Sequence, residues 1–492
     1  MALAHTYLAI DLGAESGRAM LGAFDGERLT LSELHRFGNG PVRLPDGLHW
    51  DVLRLWSEIQ DSLVRAAHVE QPPASMGLDT WGVDFALLDR RGELVSNPFH
   101  YRDSRTDGMV DEAFRRMPRE QIFEYTGIQF MPINTLYQLL SLVVAQSPAL
   151  AAAAHLLTIP DLFNYWLTGQ VVGEFSIATT TQCFDPRRRE WSRPLLDALE
   201  IPTHIFPALV TPGMIVGPLR VLVAQDTHVP PLQVIAPACH DTGSAVAAVP
   251  AETEHFAWIS SGTWSIMGTN VAEPVINAAS LQNNFTNEGG VGGQYRFCKN
   301  IMGLWLVQEA RRTWAGEGRT FSYAELTELA AQARPFAAIV DPDAADFFKP
   351  GDMPERIRSY CARTGQCIPD SYGAIVRCAL ESLALKYRWV LSKMEEMIGY
   401  RLDALHIIGG GTQNRLLNQF TADATGRRVI AGPVEATAIG NVLVQAVAVG
   451  DIESYAAARA IVRHSFEPEV FEPGPAAAWD EAYQKFLTMV NL

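Results

Sequence analysis

The chain has 492 residues, 48% of them hydrophobic and 19% charged, enough for two or three domains and too apolar for a disordered polymer. Its 39 basic and 55 acidic residues leave a net charge of −16. That balance argues against sequence-independent nucleic-acid binding, which needs a basic surface, but not against small anions held by local backbone donors. Six scattered cysteines (Cys183, Cys239, Cys298, Cys361, Cys367 and Cys378) form no C-x-x-C pair, and no His cluster stands at ligand spacing. A structural zinc site is not expected, and the cysteines read as reduced cytosolic thiols, with a Cys361–Cys378 pairing left open.

In chain order, the N-terminal stretch lacks a basic segment, and Asp11 interrupts its apolar run, so it does not read as a signal peptide. Strands are predicted at Tyr7–Ile10 and Ala19–Phe24, around the turn Asp11-Leu-Gly-Ala-Glu-Ser-Gly-Arg18. Small residues there let backbone N–H groups approach a phosphate, Ser16 adds a hydroxyl donor, and Asp11 at the strand end suits Mg²⁺ held through water. An ordinary hairpin turn with a solvated Asp fits the same residues. A helix follows over Val52–Ala67, then strands at Met76–Leu78 and Phe85–Asp89 joined by Asp79-Thr-Trp-Gly-Val-Asp-Phe85. Trp81 between two acids suits a sugar, whose apolar face stacks on indole while carboxylates accept its hydroxyls; a core Trp in a bulge fits equally well.

Tyr125–Pro160 carries no Lys, Arg, Asp or Glu, but polar residues split it into two short amphipathic pieces, the second starting at Ser147 as cap with Pro148 in first position. Neither piece reaches the ~20 apolar residues of a membrane span. The run Arg187–Glu190 reads as a solvated turn without a role. A buried strand over Leu232–Ala236 leads to Cys239-His-Asp-Thr242, placing Asp241 at a helix N-terminus, where the helix dipole favours its ionised form and readies it to accept a proton. An N-cap with no further role is the competing reading.

The strand Ala257–Ser260 opens Ile259-Ser-Ser-Gly-Thr-Trp-Ser265, a second strand–turn–strand unit. Its Gly262 lies about half the chain from Gly13, and the repeated hairpin predicts two similar domains with a boundary near Val246–Glu254. Helices are predicted at Ala324–Ala333 and Tyr372–Ile398. A strand at Leu405–Ile408 then runs into Gly409-Gly-Gly411, with Thr412 and Asn414 as cap candidates for a helix Arg415–Thr425 that Gly426 ends. Three glycines at a strand-to-helix junction let a nucleotide lie against backbone and helix N-terminus. Neither G-x-G-x-x-G nor G-x-x-x-x-G-K-[ST] is present. The stretch from about Asp451 is amphipathic.

In this order the five segments resemble the FGGY family of carbohydrate kinases, from Asp11 to about Gly440. Longer strings share the likeness: HRFGNG (35–40), DTWGVDF (79–85), YRDSRT (101–106), GIQFMPINTLYQL (127–139), SSGTWSIMG (260–268), FTNEGG (285–290), KNIMGLWLVQ (299–308) and AGPVEATAIGN (431–441). The resemblance implies an α/β protein of two actin-like (ribonuclease H-like) domains with an interdomain cleft. It divides the chain into 1–246 for sugar and phosphate, 247–450 for nucleotide, and 451–492 packing back on the core. It implies a cytoplasmic monomer or homodimer without nucleic-acid or membrane partners, using ATP and Mg²⁺ to phosphorylate O1 of L-rhamnulose in L-rhamnose catabolism.

By the same resemblance Ala14, Glu15, Ser16, Gly17, Arg18 and Thr263 hold ATP phosphates, and Gln308 and Gly410 contact the nucleotide. Gly82, His240, Asp241, Thr242 and Asn300 contact the sugar, and Asp241 is the base for O1. Many relatives carry Thr or Ser where this chain has Ala14-Glu15, which leaves the Glu15 side chain without an assigned role. A kinase for another ketose such as L-fuculose competes with this reading, as does an actin- or chaperone-like ATPase, which has no use for DTWGVDF and CHDT.

Overall fold

The computed structural model describes residues 5–490, so the first four residues of the stretch read as lacking a signal peptide lie outside it. The packing divides into two compact units. One comprises the chain up to Pro250 with Asn270–Phe297 and Ala436–Phe466; the other comprises Ala251–Thr269, Cys298–Glu435 and the chain from Glu467.

The first unit is built on a six-stranded sheet in the order Ile215–Pro218, Gln233–Ile235, Ser75–Thr80, His5–Leu12, Ser16–Phe24, Leu29–Gly38. Gln233–Ile235, Ser75–Thr80 and His5–Leu12 pair in parallel, and the outer strands are antiparallel. His5–Leu12 and Ser75–Thr80 are buried almost throughout, so neither alternates between apolar and polar, and Asp11 and Asp79 come at their buried ends. The helix Val52–Ala67 starts where Asp51 accepts from the Arg54 amide, and Val52, Leu55, Ile59, Leu63 and Ala66 form its buried face.

The uncharged segment folds as helices Thr135–Val144 and Pro148–Ala152 and a strand His155–Thr158 paired to Phe85–Leu88. Its apolar residues fill a second core with Ile122, Leu136, Leu139, Leu140, Leu195 and Leu196. Pro148 does stand at the first helical turn, although the Ser147 side chain makes no capping bond. No helix among the described residues is long and apolar enough to cross a membrane.

The second unit repeats the plan. Its strands Trp264–Val271, Phe256–Ser261, Ala404–Ile408, Arg428–Ala431 and Glu469–Phe471 stand side by side in that order, with Asn270 and Val271 at the end of the first counted in the other unit. Phe256–Ser261, Ala404–Ile408 and Arg428–Ala431 are again parallel neighbours, with an antiparallel hairpin to one side and an antiparallel edge strand on the other. The hairpin repeat read around Gly13 and Gly262 is thus one part of a repeated sheet, the actin-like (ribonuclease H-like) arrangement. The helix Tyr372–Ile398 begins at the Ser371 cap and ends on Gly399 in the left-handed region.

The units are not consecutive along the chain. Ala436–Val449 packs in the first unit, where a Cβ on Gly22 would meet Val442 and one on Gly77 would meet Asn441. The expected closing segment 451–492 is shared. Asp451 accepts from His5 and Tyr7, and the Ser465 hydroxyl accepts from the Leu29 amide, whereas Glu469–Phe471 adds a strand to the second sheet. Cys361 and Cys378 are both buried free thiols, not a disulfide.

Candidate active site

In the first unit, parallel register sets Asp11 beside Asp79, and antiparallel register sets Arg18 opposite Asp11. The Arg18 guanidinium donates to Asp11 Oδ2 from Nη2 (2.7 Å) and Nε (3.0 Å). Asp79 is fully buried; its Oδ2 accepts from Asn441 Nδ2, while its Oδ1 has no partner among the described residues. Burial and the Asp11 charge push the Asp79 carboxyl well above the usual range.

The next parallel strand delivers Asp241. The Thr80 amide donates to the Cys239 carbonyl (2.9 Å), and Asp241 is the first residue of the helix Asp241–Ala247, with His240 as its N-cap. Its side chain is 30% exposed. The carboxyl shifts against the ionised form that a helix N-terminus by itself favours: burial, helped by the Asp11 charge, outweighs the opposing pull of His240 and raises it. Asp241 is therefore a better proton acceptor than a solvated Asp. A close fit holds its helix, since a Cβ on Gly440 would lie 1.7 Å from the Ser244 carbonyl oxygen.

The turn Ala14 to Arg18 is braced from outside. Gly13 N–H donates to the Ser16 carbonyl (2.9 Å), and Asn39 donates from its amide to Glu15 O (2.9 Å) and from Nδ2 to Gly13 O (2.8 Å). Gly17 is required by packing, because a Cβ there would lie 2.3 Å from the Phe37 ring. Glu15 and Ser16 are exposed at the tip.

Trp81 resolves toward the core. It is 6% exposed, packs against Trp50 with ring centres 4.0 Å apart and the rings tilted, and donates from Nε1 to Asp84 Oδ2 (3.0 Å). Asp84 is likewise spoken for, accepting from Trp50 Nε1 (2.6 Å) and Gln138 Nε2 (2.9 Å), and burial lifts its carboxyl to about 6. What this segment leaves partly open is Gly82-Val83, against the Thr180 hydroxyl, which accepts from Val83 N–H (3.3 Å). Val83 holds φ 69°, a strained conformation for a β-branched residue. Thr242 donates its hydroxyl to Asp241 Oδ1 (3.1 Å).

In the second unit the turn Gly262–Trp264 closes through Gly262 N–H to Trp264 O (2.9 Å). Leu304 and Trp305 donate their amides to Gly262 O (3.0 Å) and Thr263 O (3.2 Å), which brings the start of the helix Trp305–Gly316 to the turn. Tyr387 and Ser265 share a hydroxyl hydrogen bond of 2.6 Å beneath it. The three glycines divide their tasks: Gly409 takes φ 84°, Gly411 packs where a Cβ would lie 2.0 Å from Ser261 Oγ, and Gly410 faces open space. Asn414, not Thr412, caps the following helix by accepting from the Leu417 amide (3.0 Å), and Gly426 ends it.

Gln308 Oε1 is buried without a partner among the described residues, an acceptor suited to a nucleobase amino group. Asn300 is partly buried beside Lys299, whose ammonium burial lowers to about 8 near the Lys386–Asp341–Asp343 ion cluster. Thr263, Gln308 and Gly410 are thus on connected elements of one unit, and Ala14 to Arg18, Gly82 and His240 to Thr242 on those of the other. Asn39, Glu288, Arg296 and Asn441, none of them a candidate from the sequence, also pack around these groups. Asn39, Glu288 and Asn441 do stand in the quoted strings HRFGNG, FTNEGG and AGPVEATAIGN, which was their only signal.

Two family models match, the N-terminal domain of the FGGY family of carbohydrate kinases over residues 6–248 and its C-terminal domain over 257–449. A protein named rhamnulokinase from Bacteroides thetaiotaomicron is 44% identical over 99% of both chains, and one from Oceanobacillus iheyensis is 42% identical over 94% of this chain and 97% of the other. Among solved structures, a xylulose kinase from Lactobacillus acidophilus superposes with TM-score 0.82 at 16% identity, covering 99% of this chain and 98% of that one. A gluconate kinase from the same organism gives 0.81 at 16%, with the same coverage, likenesses that bear on the fold alone. Two matching models across nearly the whole length, on a repeated sheet with acids at the strand ends, make this chain a member of the FGGY family of carbohydrate kinases.

Proposed function

We propose that this enzyme transfers the γ-phosphoryl group of ATP to O1 of L-rhamnulose, giving L-rhamnulose 1-phosphate and ADP, as a cytoplasmic monomer or homodimer of L-rhamnose catabolism. The relatives named rhamnulokinase, 37–44% identical along nearly their full lengths, support the substrate. The observation that carries the chemistry is Asp241, a partly exposed carboxyl that burial raises above its ordinary range, at a helix N-terminus.

Asp241 takes the O1 proton as oxygen attacks phosphorus, which sharpens the nucleophile without a covalent intermediate. Gly82, His240, Thr242 and Asn300 orient the sugar. The backbone from Ala14 to Arg18 and Thr263 donate to phosphate oxygens, and Gln308 and Gly410 contact the nucleotide. Arg18, held on Asp11 by two hydrogen bonds, keeps its positive charge near the phosphate turn. Asp11, at the strand end beside that turn, would hold a divalent cation through water, with Asp79, whose buried Oδ1 has no partner among the described residues, next to it on the neighbouring strand. Mg²⁺ bound there would neutralise charge on the phosphates.

A coupled ADP assay across a panel of ketoses tests this reading, with L-rhamnulose expected to give the highest kcat/KM. A higher value for L-fuculose or L-ribulose would overturn the substrate, and full ADP release without any ketose would favour an ATPase.

A further inference from the structure

His240 sits in a buried electrostatic frame that the reaction as described does not use. Arg296 has 0% exposure and Glu288 5%, on the segment Thr286–Arg296 of the same unit. A buried guanidinium must find acceptors, and Arg296 donates from Nε to the Gly289 carbonyl (2.8 Å) and from Nη2 to His240 Nδ1 (3.0 Å). Glu288 Oε2 lies 3.2 Å from Arg296 Nη2 and 3.3 Å from His240 Nδ1, but of these two neighbours only the guanidinium is aligned for a hydrogen bond to that nitrogen. On the other side of the ring, His240 Nε2 is 3.4 Å from Asp241 Oδ1. The His240 amide donates to Ser176 Oγ (3.1 Å), whose hydroxyl donates to Glu174, so the ring hangs from a fixed backbone.

Arginine has no acceptor atom and does not give up its proton in a protein, so a nitrogen that accepts from it must carry a lone pair. We infer that Arg296, held by Glu288, is a positioning residue that fixes His240 as the tautomer protonated on Nε2, presenting an N–H donor toward Asp241 and a sugar hydroxyl. This deepens the kinase reading and rests on it for the sugar contact, though not for the tautomer. The opposite tautomer would set Nδ1–H against the guanidinium, with only the poorly aligned Glu288 oxygen near it, and would turn a lone pair toward the Asp241 carboxylate.

Two-bond ¹H–¹⁵N correlation spectra of histidine-labelled protein, with His240→Asn to assign the signal, read the tautomer directly. An Nε2–H pattern is expected, and an Nδ1–H pattern would overturn the inference whatever Asp241 does. In Arg296→Met the Nε2–H pattern should weaken, and KM for the sugar should rise about tenfold, the worth of one hydrogen bond, with KM for ATP unchanged. Arg296→Lys should restore both in part. A folded Arg296→Met with the parent tautomer and sugar KM would overturn the inference; if that variant fails to fold, the parent spectrum alone decides. Normal turnover in Asp241→Asn would remove the base from the kinase reading and leave the tautomer assignment standing.

Discussion

Replacing Asp241 with Asn separates the proton acceptor from the capping residue. The Asp241 Oδ1 accepts from the Thr242 amide and hydroxyl, and an Asn carbonyl oxygen keeps both bonds. The raised carboxyl gives the sign of the stability effect. Its contribution is fully present below the unfolded carboxylate range and is lost as pH rises through the folded value, so at pH 7.5 Asn removes a penalty. Stability should therefore hold within about 1 kcal/mol of the parent, or rise. A positioned base is worth about 10²–10⁴-fold, or about 3–5 kcal/mol of barrier, and kcat should fall by that factor while ATP still binds. The assay is the coupled release of ADP, run beside thermal unfolding and nucleotide affinity. A folded variant turning over within tenfold of the parent would refute the role given to Asp241.

Other outcomes follow from the packing. Gly440→Ala sets a Cβ 1.7 Å from the Ser244 backbone oxygen, which no rotamer relieves; it should cost about 1–3 kcal/mol or more in thermal unfolding and lower kcat by displacing the helix of Asp241. Gly410→Ala meets open space, so stability should stay within about 0.5 kcal/mol; a raised KM for ATP would then report direct contact, and an unchanged one would refute it. Glu15→Ser, at an exposed tip, should leave kcat within about threefold; a hundredfold fall or an altered Mg²⁺ dependence would make that side chain a participant. Asp84 and Glu174, both lifted to about 6 by burial, bind protons in the folded chain that the unfolded chain releases near pH 4, an effect that outnumbers the opposing one of His100, lowered to about 4. The urea midpoint should thus fall between pH 5 and pH 7, and a rise would contradict these ionisations.

Much of this molecule was written in local pattern. Apolar runs such as Tyr7–Ile10 had to be strands inside a covered sheet, and the apolar face of Val52–Ala67 with its Asp51 cap had to be a helix, because both periodicities are properties of a few neighbouring residues. The two hairpin turns, and the helix start at Asp241, were legible for the same reason. Tertiary structure decided what depends on residues far apart. The helix Ala436–Val449 returns to the first unit because Gly440, Asn441 and Val442 fit surfaces made hundreds of residues earlier. Trp81 became a core residue because Trp50 covers it. The direction of the Asp241 shift turned on burial and on Asp11, two hundred residues away, rather than on its own helix. The frame around His240 is of the same kind, since no spacing in the sequence announces that Arg296 will meet its ring. Electrostatics in a folded chain is set by spatial neighbours and lost water, and neither is local in sequence.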